Sequence, residues 1–249
     1  MIINRNIVLL FLLLIGCRFS FAQQLLFQGK ITYERKENMH KQLDDEGGTW
    51  ATEMKKRLSK YRTDLFHLEF NKNKSIYKLF QEDEATNMAS YWRVAWNNVV
   101  VSDFNKHSFV SEKSVYDKNY HVEDSLPQYV WKLTGEYREI AGKNCRKATT
   151  VVMDSLFIIA FYTDEIPVNG GPETIQGLPG MILGVVIPKI NFTIFATKIE
   201  PVLVDEKSFN STPLKKAKTV NRVSLFKEIE DALADWGKWG RKIYWRVVI

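Results

Sequence analysis

Alternation of apolar and polar positions dominates the chain. Phe27, Gly29, Ile31 and Tyr33 alternate with Gln28, Lys30, Thr32 and Glu34, the period of a strand with one buried face. A polar break at 44–48 follows. Trp50, Met54, Leu58 and Tyr61 then recur at helical spacing, with Lys55, Lys56 and Lys60 on other faces. Beyond Arg62 the strand period returns: Phe66, Leu68 and Phe70 alternate with Leu65, His67 and Glu69, and 71–74 reads as a turn into a run at 76–80. Runs at 91–96 and 99–104 flank Asn97-Asn98, a pair suited to a tight hairpin. Further runs at 107–115, 120–126, 130–140, 144–153 and 156–163, joined by polar turns, predict an antiparallel meander.

Residues 164–188 differ in character. Five of the 13 glycines and three of the seven prolines fall between 167 and 184, interleaved with Ile166, Ile175, Leu178 and Met181. Flexible linkers lack such apolar residues, so the spacing predicts an ordered loop with specified backbone angles. Strands resume at 181–187 and 191–199, and 207–218 is polar. Val223, Phe226, Ile229, Leu233 and Trp236 form an apolar stripe at helical spacing, ended by Gly237, and 241–249 is apolar enough for a last strand. The expectation is a mainly β fold in one domain, with a helix near each end.

The N-terminus carries an export address. Residues 1–6 hold one charge, Arg5, and 7–16 is an apolar run too short to span a bilayer. Ser20-Phe21-Ala22 places small residues where a signal peptidase reads, so 1–22 is expected to be a signal peptide and 23–249 the single domain. Leu14-Ile15-Gly16-Cys17 also resembles a lipoprotein site. Phe19 and Phe21 suit a solvated tether poorly, so ordinary secretion takes precedence over lipidation at Cys17. The protein is expected to be exported, periplasmic or associated with an outer membrane, touching a membrane only by tether or surface association.

Composition narrows the function. With 249 residues and 45% hydrophobic content the chain supports one substantial core. Lys and Arg total 35 against 29 Asp and Glu, and loss of Arg5 and Arg18 with the signal leaves 33 against 29. No basic run is long enough to track phosphates, which disfavours nucleic acid.

Tyr162-Thr163-Asp164-Glu165-Ile166-Pro167, Gly171-Pro172-Glu173 and Gly177-Leu178-Pro179-Gly180-Met181-Ile182-Leu183 together carry a specific pattern. They closely resemble the GLPGLI family of exported Gram-negative bacterial proteins, with Met181 where the family usually has Leu. Trp131-Lys132-Leu133 and Gly142-Lys143-Asn144-Cys145-Arg146-Lys147-Ala148-Thr149 resemble its preceding strands, and 215–225 its variable tail. The resemblance covers most of 25–230 and leaves 238–249 unmatched. It implies a single curved antiparallel sheet of half-barrel or bowl type, similar to periplasmic lipoprotein carriers and to a module that precedes the catalytic part of some secreted peptide N-glycanases. It implies no catalytic residue, because the family has no established catalytic motif.

The motif loop, with Asp164, Glu165, Ile166, Pro167, Gly171, Pro172, Gly177, Leu178, Pro179 and Gly180, reads first as a structural cap on one end of the sheet and second as a ligand cradle. Asp164 and Glu165 point to opposite faces at a strand end, a poor arrangement for two catalytic carboxylates on one bond. Cys145 reads as a packed thiol. His40, His67, His107 and His121 show no metal-ligand spacing, and no metal or cofactor is expected. Tyr91, Trp92, Trp96 and Trp131 load the middle strands with aromatic surface, chiefly for core packing. Trp92, Trp96 and Tyr162 are the candidate ligand contacts on a concave face. The leading expectation is a non-enzymatic binding or accessory module for an apolar ligand, a peptide or an outer-membrane partner. The alternatives are a hydrolase acting on an envelope polymer or glycan, and a purely structural accessory of an outer-membrane complex.

Overall fold

A computed structural model describes residues 25–44, 47–83, 94–153 and 155–249; the expected signal segment lies outside them. The chain opens with β1 (Gly29–Asn38), whose odd positions are all buried. Two short helices follow, α1 (Met39–Asp44) and α2 (Gly48–Arg57). On α2 the buried side chain is Ala51, while Trp50, expected on the apolar stripe, is exposed. A meander of β2 (Tyr61–Phe70), β3 (Lys74–Gln81), β4 (Val99–Asp103), β5 (Ser108–Val115) and β6 (Lys118–Ser125) comes next. The second half contributes β7 (Lys132–Ile140), β8 (Lys143–Val152), β9 (Leu156–Thr163), β10 (Met181–Ile187) and β11 (Phe192–Glu200). It ends with β12 (Lys218–Val220) and the helices α3 (Arg222–Ala232) and α4 (Gly237–Val248).

These strands form one open, curved sheet in the order β12-β6-β5-β4-β3-β2-β1-β11-β10-β9-β8-β7. The β-rich expectation holds, with one addition: β12 pairs parallel with β6, whereas the other pairings are antiparallel. β1 lies between the two halves because β11 returns to its free edge, Glu34 opposite Phe195. A segment at 201–217 then carries the chain to the far edge and covers Glu112 on the outer face of β5, whose carboxylate accepts from Ser211 Oγ and Leu214 N–H.

One face of the sheet carries the core. Ile31 and Tyr33 of β1 and Phe66, Leu68 and Phe70 of β2 are fully buried there, and Tyr33 donates its hydroxyl to the Ile182 carbonyl at 2.6 Å. The motif loop folds back onto this face and buries Ile166, Val168, Ile175 and Leu178 in the same core. Each such burial is worth about 1.5–3 kcal/mol. At Gly180, φ is +149° and a Cβ would stand 2.1 Å from the Thr163 carbonyl oxygen, so glycine is demanded where the loop enters β10.

Three local expectations are corrected. Residues 241–248 are helical, not a strand: α4 drives Ile243, Trp245 and Val247 into the core, and Ile249, just past its end, is buried there as well. A strand there would need a sheet edge to satisfy its backbone, whereas a helix bonds internally. Asn97-Asn98 is no hairpin turn, because β4 begins at Val99 between β3 and β5. Residues 94–98 are irregular, with Ala95 N–H donating to the Ser114 carbonyl; the expected strand at 91–93 lies outside the described residues. The buried stripe is Leu225 and Ile229 on α3 with Leu233 at its C-cap, while Val223 is 76% exposed and Trp236 lies beyond the helix end.

Candidate functional site

Strand parity places charge inside the sheet's covered face. On β1 the buried positions after Tyr33 are Arg35 and Glu37, and on β2 those before Phe66 are Arg62 and Asp64. The register sets Arg35 opposite Asp64 and Glu37 opposite Arg62. The result is a checkerboard of two cations and two anions, each under 7% exposed. Arg62 Nε lies 3.0 Å from Asp64 Oδ2, Arg35 Nη2 3.4 Å from the same oxygen, and Arg35 Nε 3.8 Å from Glu37 Oε1. The Asp83 backbone N–H donates to Asp64 Oδ1.

Two distant segments complete the grid. Arg246 on α4 meets Glu37 at 2.8 Å, and Glu173 of the motif loop faces Arg35 Nη1 at 3.7 Å. Glu173 is 5% exposed, accepts from Asn98 Nδ2 at 3.1 Å and adopts φ +55°, a left-handed conformation that non-glycine residues seldom take. Aromatic faces close the sides: the Arg35 guanidinium lies 4.5 Å over Phe66 and that of Arg62 5.1 Å over Trp96. Burial opposes ionisation of Glu37, yet Arg246 and Arg35 outweigh it and hold the carboxyl at about 2.

Beside the grid stand polar atoms that lack a hydrogen-bond partner among the described residues. Lys113 Nζ, Tyr77 Oη, Asn98 Oδ1 and Arg35 Nε are buried and make no hydrogen bond to the described residues. Burial pushes the Lys113 amine down, with Glu173 partly restoring it, and pushes the Tyr77 phenol well up. A cavity of about 20 Å³ bounded by Arg35, Glu173 and Arg246 has room for a single ordered water. The arrangement ties loop, sheet and terminal helix together. Its fixed ion pairs serve positioning better than proton transfer, which needs a group titrating near the working pH.

The residues expected to make ligand contacts are dispersed. Trp96 is half-buried: its carbonyl accepts from Arg35 and its ring stacks on Arg62. Tyr162 is 1% exposed on β9, four strand positions from β2, and its hydroxyl has no hydrogen-bond partner among the described residues. Trp92 lies outside the described residues. Asp164 is exposed, whereas Glu165 pairs with Lys143 at 2.7 Å and so pins the loop to the β7–β8 turn. Of the remaining motif residues, Ile166, Gly171, Pro172, Leu178 and Gly180 are buried and Pro167, Gly177 and Pro179 are exposed. Cys145 is fully buried, and burial raises its thiol to about 12, consistent with packing. Arg35, Glu37, Arg62, Asp64 and Glu173 were not singled out from sequence, although the alternation that marks Tyr33 and Phe66 as inward also marks the first four.

The model of the N-glycanase peptide N-terminal domain, of PNGase F-II type, matches residues 93–225, just over half of the chain. The chain belongs to this family. The matched span runs from just before β4 into α3, so it contains the motif loop and Glu173, while β1, β2 and α4 lie outside it. Two solved structures of PNGF-II, in C2 and P21 crystals, are similar at TM-score 0.50, with 18% and 17% identity over 85% of this chain. The chain spans about a third of their length, 33% and 34%, and the likeness is one of fold. An uncharacterized conserved protein from Thermus thermophilus aligns over 80% of this chain and 93% of its own, at TM-score 0.39 and 10% identity. No curated protein gives a significant match.

Proposed function

We propose that this member of the N-glycanase N-terminal domain family is an exported, non-enzymatic binding or accessory module of the GLPGLI type, and that it engages its ligand at the rim built by the motif loop. The observation that carries this reading is the occupied inner face. Ile166, Ile175 and Leu178 of the loop and Val247 and Ile249 of the C-terminal segment fill the bowl that an apolar ligand would need. The motif loop thus acts as a cap whose outer edge remains exposed at Pro167, Asn169 and Gly177.

Native mass spectrometry of the full chain purified from its own cell envelope tests this. A reproducible peptide, glycan or protein adduct that is lost on substitution of rim residues supports it. A fatty-acid or lipid adduct that survives those substitutions overturns it in favour of a carrier with an internal site. The intact mass also reports cleavage before Gln23 or acylation of Cys17.

The family match supports a second reading, hydrolysis of a glycan or envelope polymer. Incubation of the full chain with a denatured N-glycoprotein tests it: release of the glycan favours the enzyme, and an intact glycoprotein counts against it.

A further inference from the structure

The turn between β4 and β5, the segment after β6 and the motif loop converge on a groove of about 260 Å³ at the rim. Among the described residues its walls contain no Asp, Glu, Lys or Arg. Phe104 and Tyr129 supply ring surface, and Tyr129 packs against Trp131 with ring centroids 5.6 Å apart. The side chains of His107, Gln128 and Asn169 are exposed in the groove and make no hydrogen bond among the described residues.

The frame behind them is held by its own hydrogen bonds. Gln176 Nε2 donates to the Pro127 carbonyl at 2.6 Å, and Trp131 Nε1 donates to the Gln176 carbonyl at 3.0 Å. Leu126 N–H donates to the His107 carbonyl at 2.8 Å, and Gly177 N–H donates to the Asn169 carbonyl at 3.3 Å. The groove is therefore pre-organised: its scaffold uses its own hydrogen bonds while three polar side chains are left for a ligand.

We propose that this groove binds an uncharged saccharide, one or two units of a glycan, a proposal that rests on the rim reading above and names its ligand class. Planar amides at Gln128 and Asn169 each offer a donor and an acceptor, which vicinal hydroxyls match in pairs. The rings of Phe104 and Tyr129 suit the apolar C–H face of a pyranose. The lack of fixed charge in the walls disfavours anionic sugars and charged peptides. An extended peptide would use a free strand edge, and the groove offers side-chain amides instead.

The test is amide-resolved NMR of the full chain with lactose, mannobiose and N,N′-diacetylchitobiose as neutral probes, sialyllactose as the anionic probe and tetraglycine as the peptide probe. At least one neutral sugar is expected to shift the amides of His107, Gln128, Asn169 and Gly177, and sialyllactose to shift them less. Gln128→Ala and Asn169→Ala, both at exposed side chains, should each weaken binding about fivefold or more with an unchanged Tm. Three results overturn the saccharide proposal: no shift from any neutral sugar at about 10 mM, equal response to sialyllactose, or affinity indifferent to both substitutions. Shifts from tetraglycine alone overturn it while leaving a rim-binding module in place. A lipid adduct in the mass-spectrometric test removes the rim reading independently.

Discussion

Glu37 offers the most direct measurement of what the ionic grid contributes. Its carboxylate is 6% exposed and lies 2.8 Å from Arg246 and 3.8 Å from Arg35. Burial by itself would raise its pKa, but the flanking guanidiniums bring it from an ordinary 4.5 to about 2. Each pH unit between folded and unfolded values is worth 1.36 kcal/mol, so the ionised carboxylate contributes about 3 kcal/mol at neutral pH. Because the folded value is depressed, that contribution is complete above about 4.5, declines as the pH falls through the interval and is gone below about 2. Glu37→Gln should therefore cost about 3 kcal/mol at pH 7, the amide keeping the shape while removing the anion that faces Arg246 and leaving Arg35 with Asp64 and Glu173 alone. Urea unfolding of both proteins at pH 7, 5, 4 and 3 reads this as a gap that is constant from pH 7 to 5 and narrows below. A gap under about 0.5 kcal/mol, or one independent of pH, would refute the picture of a buried, paired carboxylate.

Three further outcomes are expected. His121 sits between Glu112 and Glu123 at 2.6 and 2.8 Å; burial works against its protonation, but the two carboxylates prevail and raise its pKa. Its stabilising charge is thus complete below the ordinary 6.5 and lost as pH rises through the folded value. An imidazole NMR titration should place the midpoint above 6.5 and move it down in Glu112→Gln; a midpoint below 6.5 contradicts the clamp. Cys145, with its thiol at about 12, should resist iodoacetamide at pH 8 in the folded protein and react fully in urea; rapid labelling of native protein would show an accessible thiolate instead. Gly180→Ala, which sets a methyl against the Thr163 carbonyl at φ +149°, should destabilise by about 2 kcal/mol or more in thermal or urea unfolding, and a neutral effect would mean that the loop entry relaxes freely.

The alternation of Ile31 and Tyr33, and of Phe66, Leu68 and Phe70, was enough to assign β1 and β2 and their buried faces, because side-chain parity in a strand is local and survives any tertiary arrangement. The clustering of Gly and Pro at 167–184 likewise announced an ordered loop, since backbone angles such as that of Gly180 are written into the residue itself. The same local logic failed where a segment's partner lies far along the chain. Ile243, Trp245, Val247 and Ile249 read as a strand, but their environment is the bowl, where α4 satisfies its own backbone and the packing outweighs the small intrinsic preference of β-branched residues. Parity marked Arg35, Glu37, Arg62 and Asp64 as inward but said nothing of how buried charges would be neutralised. That was decided by the β1–β2 register and by two contacts across long separations, Glu173 with Arg35 and Arg246 with Glu37. The rim groove belongs wholly to the tertiary structure: His107, Gln128 and Asn169 carry no common pattern in sequence and meet only because the β4–β5 turn, the segment after β6 and the motif loop reach the same end of one curved sheet.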